Sequence, residues 1–137
     1  MSLDTGRYKI VNVKWLNVAL LPDPNSESAV VGSHDAGDSG EWWNVNKLGN
    51  DKYTIRNLGH SNYATIAARA TKEDSVVGGS REKQWVIREA RVRGQYNISP
   101  SDSDVFWFLE DGESMTPVTV TVTPNNPKSQ WKFVKNA

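Results

Sequence analysis

The chain has 137 residues, with sixteen lysines and arginines balancing sixteen aspartates and glutamates and no cysteine. That length holds one domain of ordinary size around one hydrophobic core. A formal charge of zero gives no net field toward nucleic acid or an anionic membrane, and the missing cysteines remove disulfides, thiolate nucleophiles and cysteine-bearing zinc sites.

Met1 to Lys9 carries Asp4, Arg7 and Lys9 and no apolar run of the secretory kind. The longest early apolar stretch is Val18 to Leu21, far short of the roughly 20 residues a membrane helix needs. The expectation is therefore a soluble, cytoplasmic protein. Strands follow in chain order from period-two patterns. Tyr8-Lys9-Ile10 recurs as Tyr53-Thr54-Ile55 and Tyr96-Asn97-Ile98, so the tyrosines fall 45 and then 43 residues apart. Trp43-Asn44-Val45, Trp85-Val86-Ile87 and Trp131-Lys132-Phe133 close the units, 35, 32 and 35 residues after their tyrosines. Both marks place two large side chains on one face of a strand.

Between the marks each unit carries two more short β-rich runs. They are Leu16 to Leu21 and Ala29 to Val31, then Asn62 to Ala67 and Ser75 to Val77, then Val105 to Leu109 and Pro117 to Thr123. Turn chemistry borders them at Pro22-Asp23-Pro24-Asn25, Gly78-Gly79, Asp111-Gly112 and Pro124-Asn125-Asn126-Pro127. Ala64 to Ala70 is the best helix candidate, yet its β-branched Thr65 and Ile66 sit where the repeat calls for a strand. About twelve short strands in three units predict an all-β domain, a β-trefoil over residues 1–137 with repeats at about 5–48, 49–91 and 92–137. The six repeated tyrosines and tryptophans are expected in the core.

Reactive chemistry is sparse. Only His34 and His60 are of the residue type that serves as a near-neutral base, and no Gly-x-Ser-x-Gly turn frames a nucleophile, so no enzyme, catalytic residue or cofactor is expected. His34-Asp35-Ala36-Gly37-Asp38 reads as a solvated acidic loop without the calcium-loop register, and no metal site is expected. His60 reads as a turn residue.

The loop Thr123 to Gln130 stands out. Pro124 and Pro127 fix φ near −65° and lower the entropy of the free loop, so a binding shape is partly set in advance. Lys128, between Pro127 and the small Ser129, has the character that a trypsin-like protease accepts across its scissile bond. Arg81 in Gly78-Gly79-Ser80-Arg81-Glu82-Lys83 ranks second, because Glu82 would follow it and the paired glycines leave the loop floppier. Arg91 and Arg93 rank third.

With these repeats, the cysteine-free composition and this loop, the chain resembles the mushroom β-trefoil serine protease inhibitors of the cnispin and cospin type. The similarity runs from Thr5-Gly6-Arg7-Tyr8-Lys9-Ile10 to Ser129-Gln130-Trp131-Lys132-Phe133. The resemblance implies a fungal, cytosolic, defensive inhibitor of trypsin-like serine proteases. It implies a reactive lysine or arginine either between strands eleven and twelve, where Lys128 stands, or between strands two and three, where Leu21 to Ser28 has no basic residue. On that reading Asn125, Asn126, Pro127, Lys128 and Ser129 lie extended in the protease cleft, with Lys128 in the specificity pocket, and the protein is a monomer. Two alternatives stand beside it. A carbohydrate-binding trefoil would use Trp15, Trp42 or Trp107 as stacking platforms, although Gln84-Trp85 and Gln130-Trp131 lack the spacer of the Gln-x-Trp lectin mark. An inhibitor of cysteine or asparaginyl proteases would present Asn25 or Asn57.

Overall fold

The computed structural model describes residues 3–135; residues 1, 2, 136 and 137 of the expected 1–137 domain lie outside the described part. Among the described residues thirteen strands and two short 3₁₀ turns make up the regular structure. They are β1 (Gly6–Asn12), β2 (Val18–Leu20), β3 (Val31–Ser33), β4 (Trp43–Lys47), β5 (Tyr53–Asn57), β6 (Tyr63–Thr65) and β7 (Val77–Gly79). The rest are β8 (Trp85–Glu89), β9 (Tyr96–Pro100), β10 (Phe106–Phe108), β11 (Thr116–Pro117), β12 (Thr119–Thr121) and β13 (Trp131–Lys135).

Six strands close a barrel by antiparallel pairing in the cyclic order β1, β4, β5, β8, β9, β13. Three hairpins, β2–β3, β6–β7 and β10–β12, complete a β-trefoil. The pseudo-threefold axis is written in backbone hydrogen bonds. Val30 donates to Val76 (2.9 Å), Val76 to Val118 (2.9 Å) and Val118 back to Val30 (2.8 Å). A second ring surrounds it, in which the left-handed residues Glu27, Glu73 and Met115 donate to Gly78, Val120 and Gly32.

The repeated tyrosines and tryptophans all face inward, as their spacing requires, and Trp43, Trp85 and Trp131 are fully buried. Each indole N–H donates to the middle or nearby carbonyl of its own unit's second strand: Trp43 to Ala19, Trp85 to Ala64 and Trp131 to Trp107. Trp107 breaks the symmetry. It replaces alanine at this position, packs edge-on against Trp85 and Trp131, and carries an indole N–H with no partner among the described residues.

The strands are shorter than the apolar runs suggested. Leu16 is an exposed turn residue with φ 65° rather than a strand residue, and the Ala64 to Ala70 run is strand only to Thr65 before it turns. Gly78 and Gly79, expected in a floppy loop, belong to β7, and a Cβ at Gly78 would lie 2.9 Å from the Leu21 side chain. The glycine there allows close packing between units.

Candidate functional site

The Thr123 to Gln130 loop is folded inward rather than extended. Pro127–Ser129 forms one 3₁₀ turn, capped by the Asn126 side-chain oxygen, which accepts from the Lys128 N–H at 2.9 Å. Proline suits the first position of such a turn because no N–H is needed there. The Lys128 carbonyl accepts from Asn12 Nδ2 (3.0 Å) and from the Leu109 N–H (3.0 Å). Ser129 is fully buried, and its hydroxyl donates to the Thr123 and Asn126 carbonyls. Substrate-like docking needs that carbonyl free for an oxyanion hole and the Lys128–Ser129 bond in extended backbone. Over Pro127–Ser129 the backbone is a turn where the expected presentation was extended, Asn126 itself is extended, and buried Asn12 on β1 holds the Lys128 carbonyl against the body.

The Lys128 side chain lies along the surface. Its Nζ is 3.5 Å from Glu110 Oε2 and 5.6 Å from the Trp15 ring centroid, with Lys14 against the same ring at 5.4 Å. Trp15 donates to the Leu109 carbonyl and is half-buried, so it braces this corner. Arg81 is exposed in the bend after β7, and the adjacent Glu82 accepts from the Tyr63 hydroxyl at 3.4 Å. Asn57 is buried and donates to the Gly40 carbonyl, which removes it as a presented residue, while Asn25 is exposed.

Two grooves of mixed polar and apolar lining meet at the Thr123 to Gln130 loop. Pro124 and Asn125 line one of about 400 Å³; Thr123 and Asn126 line another of about 500 Å³. Strand β10 supplies both with an aromatic wall. Alternation sends buried Trp107 into the core, so its neighbours Phe106 and Phe108 face outward on one side, half-buried, Phe106 in the first groove and Phe108 in the second. Trp107, offered from the sequence as one stacking ring, is thus in the core, and the outward rings of Phe106-Trp107-Phe108 are the flanking pair.

The second groove adds Thr119, Thr121 and Glu110 to Phe108. With its Oδ1 committed to the turn, Asn126 has amide N–H donors to offer there. The first groove adds Arg88, Asn97, Ser99 and Asp104 to Phe106. Asn97 donates to the Pro124 and Ser129 carbonyls at 3.0 and 2.9 Å, fixing the loop against the barrel.

Electrostatics elsewhere is structural. Glu41, just after the acidic His34 to Asp38 loop, is buried and accepts from the Ala36 and Gly37 N–H groups at 2.9 and 3.1 Å, with Lys9 Nζ 3.8 Å away. Lys9 also bonds Asp35 at 2.7 Å and lies 5.0 Å from the half-buried Trp42 ring. The Lys9 hydrogen bond holds the Asp35 carboxyl below its ordinary value. Asp23 and Asp111 are lowered in matching ways, first by the Ser28 and Thr116 hydroxyls and then by backbone N–H groups. Each pins the turn after its unit's second strand. The His60 N–H donates to Asn57 Oδ1 within its turn. Among the described residues no three His, Asp or Glu side chains gather as a metal site, and no helix is long and apolar enough to cross a membrane.

Phe106, Phe108, Thr119, Thr121 and Arg88 were not singled out from sequence. The signal was present for the phenylalanines: once Trp107 faces the core, period-two alternation turns both neighbours outward.

No protein-family model matches the chain, and no curated protein matches it in sequence. Solved structures do. The chain superposes on the Rhizoctonia solani agglutinin with a TM-score of 0.91 at 22% identity, covering 99% of each chain. The Macrolepiota procera ricin B-like lectin, solved in complex with lactose, gives 0.88 at 19% identity over 99% of each chain. A designed three-fold symmetric protein, ThreeFoil, gives 0.89 at 16% identity over 96% of this chain and 99% of its own. At these identities the likeness establishes the β-trefoil fold that this chain shares with fungal lectins.

Proposed function

We propose that the protein binds carbohydrate, through the grooves on either side of the Thr123 to Gln130 loop. The observation that carries this is the pair of outward phenylalanines on β10, each set among hydroxyl, amide and carboxylate groups. A sugar ring has an apolar face and a rim of hydroxyls. Phe108 would take the face, while Thr119, Asn126 and Glu110 would exchange hydrogen bonds with the rim. Lectin neighbours of the same fold support the reading. Phe106 and Phe108 are two residues apart on a strand, about 7 Å. An oligosaccharide therefore reaches both rings, and a monosaccharide only one.

Protease inhibition through Lys128, which the family resemblance implied, would need the 3₁₀ turn opened and two hydrogen bonds to the Lys128 carbonyl broken. The geometry favours sugar binding. A glycan array tests it: defined oligosaccharides should be retained by the wild type and lost by Phe108→Ala. A blank array, together with micromolar trypsin inhibition abolished in Lys128→Ala, would replace this reading with the inhibitor one.

A further inference from the structure

The two grooves differ in charge. The one at Phe108 is edged by Glu110 and Glu73 with Lys72, and Glu110 already has Lys128 beside it. The one at Phe106 is lined by two arginines, Arg88 and Arg91, both exposed. Neither is in an ion pair among the described residues. Its acidic groups are Glu89 and Asp104. Glu89 is engaged at the hairpin turn, where its carboxylate accepts from the Gly94 N–H at 2.8 Å, and Asp104 is exposed in the loop before β10.

The placement follows from strand register. Arg88 on β8 faces Asn97 on β9, and Val86 faces Ser99, so alternation puts these four side chains on the outer surface of the barrel while Ile87 and Ile98 point in. Asn97 is fixed by its two bonds to the loop carbonyls, which sets one wall. Phe106 forms the apolar part and buried Pro100 lies beneath. A ligand that satisfies this surface presents an apolar ring face to Phe106, hydroxyls to Ser99 and Asn97, and a negative group to the arginines.

We infer that the Phe106 groove selects an acidic sugar residue, with a carboxylate or sulfate held by Arg88 and Arg91. This rests on the carbohydrate-binding reading and adds the ligand class of one of its two grooves. A charge-assisted bidentate contact strengthens binding by about tenfold over the uncharged analogue, and salt weakens it.

The test is a ¹⁵N-resolved NMR titration of the whole chain with four probes: methyl glucoside, glucuronate, glucose 6-sulfate and sodium sulfate. An acidic sugar should bind about tenfold tighter than methyl glucoside, shifting the Arg88, Asn97, Ser99 and Phe106 signals, and the preference should vanish in Arg88→Gln. The glucuronate and sulfate arms tell which anion is read. Equal binding of methyl glucoside and both acidic sugars overturns the inference and leaves the carbohydrate reading standing. So does methyl glucoside shifting only the Phe108 groove while neither acidic sugar binds. Sodium sulfate binding as tightly as glucose 6-sulfate overturns it too, because the ring would then contribute nothing. If no sugar shifts any residue and the array is blank, both readings fall together.

Discussion

Four tryptophans are completely buried, and they separate one hydrogen bond from the packing around it. Trp131 donates to the Trp107 carbonyl at 3.1 Å, whereas the Trp107 N–H has no partner among the described residues. Replacing either by phenylalanine removes a similar volume. At about 24 cal/mol per Å³ of cavity, the ~40 Å³ lost corresponds to about 1 kcal/mol. The hydrogen-bond consequences have opposite signs. Trp131→Phe leaves the Trp107 carbonyl without that donor in the core, adding about 1–3 kcal/mol of destabilisation. Trp107→Phe removes a donor that was already unsatisfied and recovers a similar amount. The edge-on contacts with Trp85 and Trp131 need only a ring and survive. Trp131→Phe should therefore be about 2–4 kcal/mol less stable than wild type, while Trp107→Phe lies between neutral and about 2 kcal/mol more stable. With an m-value of about 2 kcal/mol/M, the urea midpoints of the two variants should differ by at least about 1 M, read by far-ultraviolet circular dichroism. Equal midpoints would refute the reasoning.

Three further outcomes follow from the same contacts. Glu41→Ala should cost about 3 kcal/mol in urea unfolding, because it strands two loop N–H groups and removes a buried partner of Lys9; a loss under about 0.5 kcal/mol would show that the loop does not depend on it. Asp23, Asp35, Asp102 and Asp111 all sit below the ordinary aspartate value when folded. The unfolded chain then binds more protons as the pH falls, so their stabilisation is present above about pH 4 and is lost as the pH drops through the folded values. Urea midpoints should fall from pH 6 to pH 3, less steeply in Asp111→Asn; a midpoint rising toward acid contradicts the assignment. Lys128→Ala should change stability by less than about 1 kcal/mol, since it loses only a partly exposed ion pair and ring contact, and trypsin should be equally active with either protein at micromolar concentration.

The architecture could be read before any coordinates because it repeats. Tyr8, Tyr53 and Tyr96 with Trp43, Trp85 and Trp131 supply strand positions and core in one pattern, and three copies leave little freedom in how they close. The functional surface was harder for a physical reason. Solvent-facing residues carry no repeat, so Phe106 and Phe108 had to be placed by the inward direction of Trp107. The shape of the Lys128 loop was not legible, because a proline-rich loop with a basic residue looks the same in sequence whether it protrudes or turns inward. The deciding partners, Asn12 and Leu109, are 116 and 19 residues away in the chain. Nor does the sequence show that Glu41, just beyond the acidic His34 to Asp38 loop, is buried against Lys9 and two backbone N–H groups.

The direct test of the central claim is a crystal structure of the protein with an oligosaccharide that it retains on the array. Electron density for a sugar ring packed on Phe108 or Phe106, with hydroxyls within hydrogen-bond distance of Thr119, Asn126 or Asn97, is the predicted result. Sugar density confined to the β2–β3 or β6–β7 hairpins, with both β10 grooves empty, would contradict it.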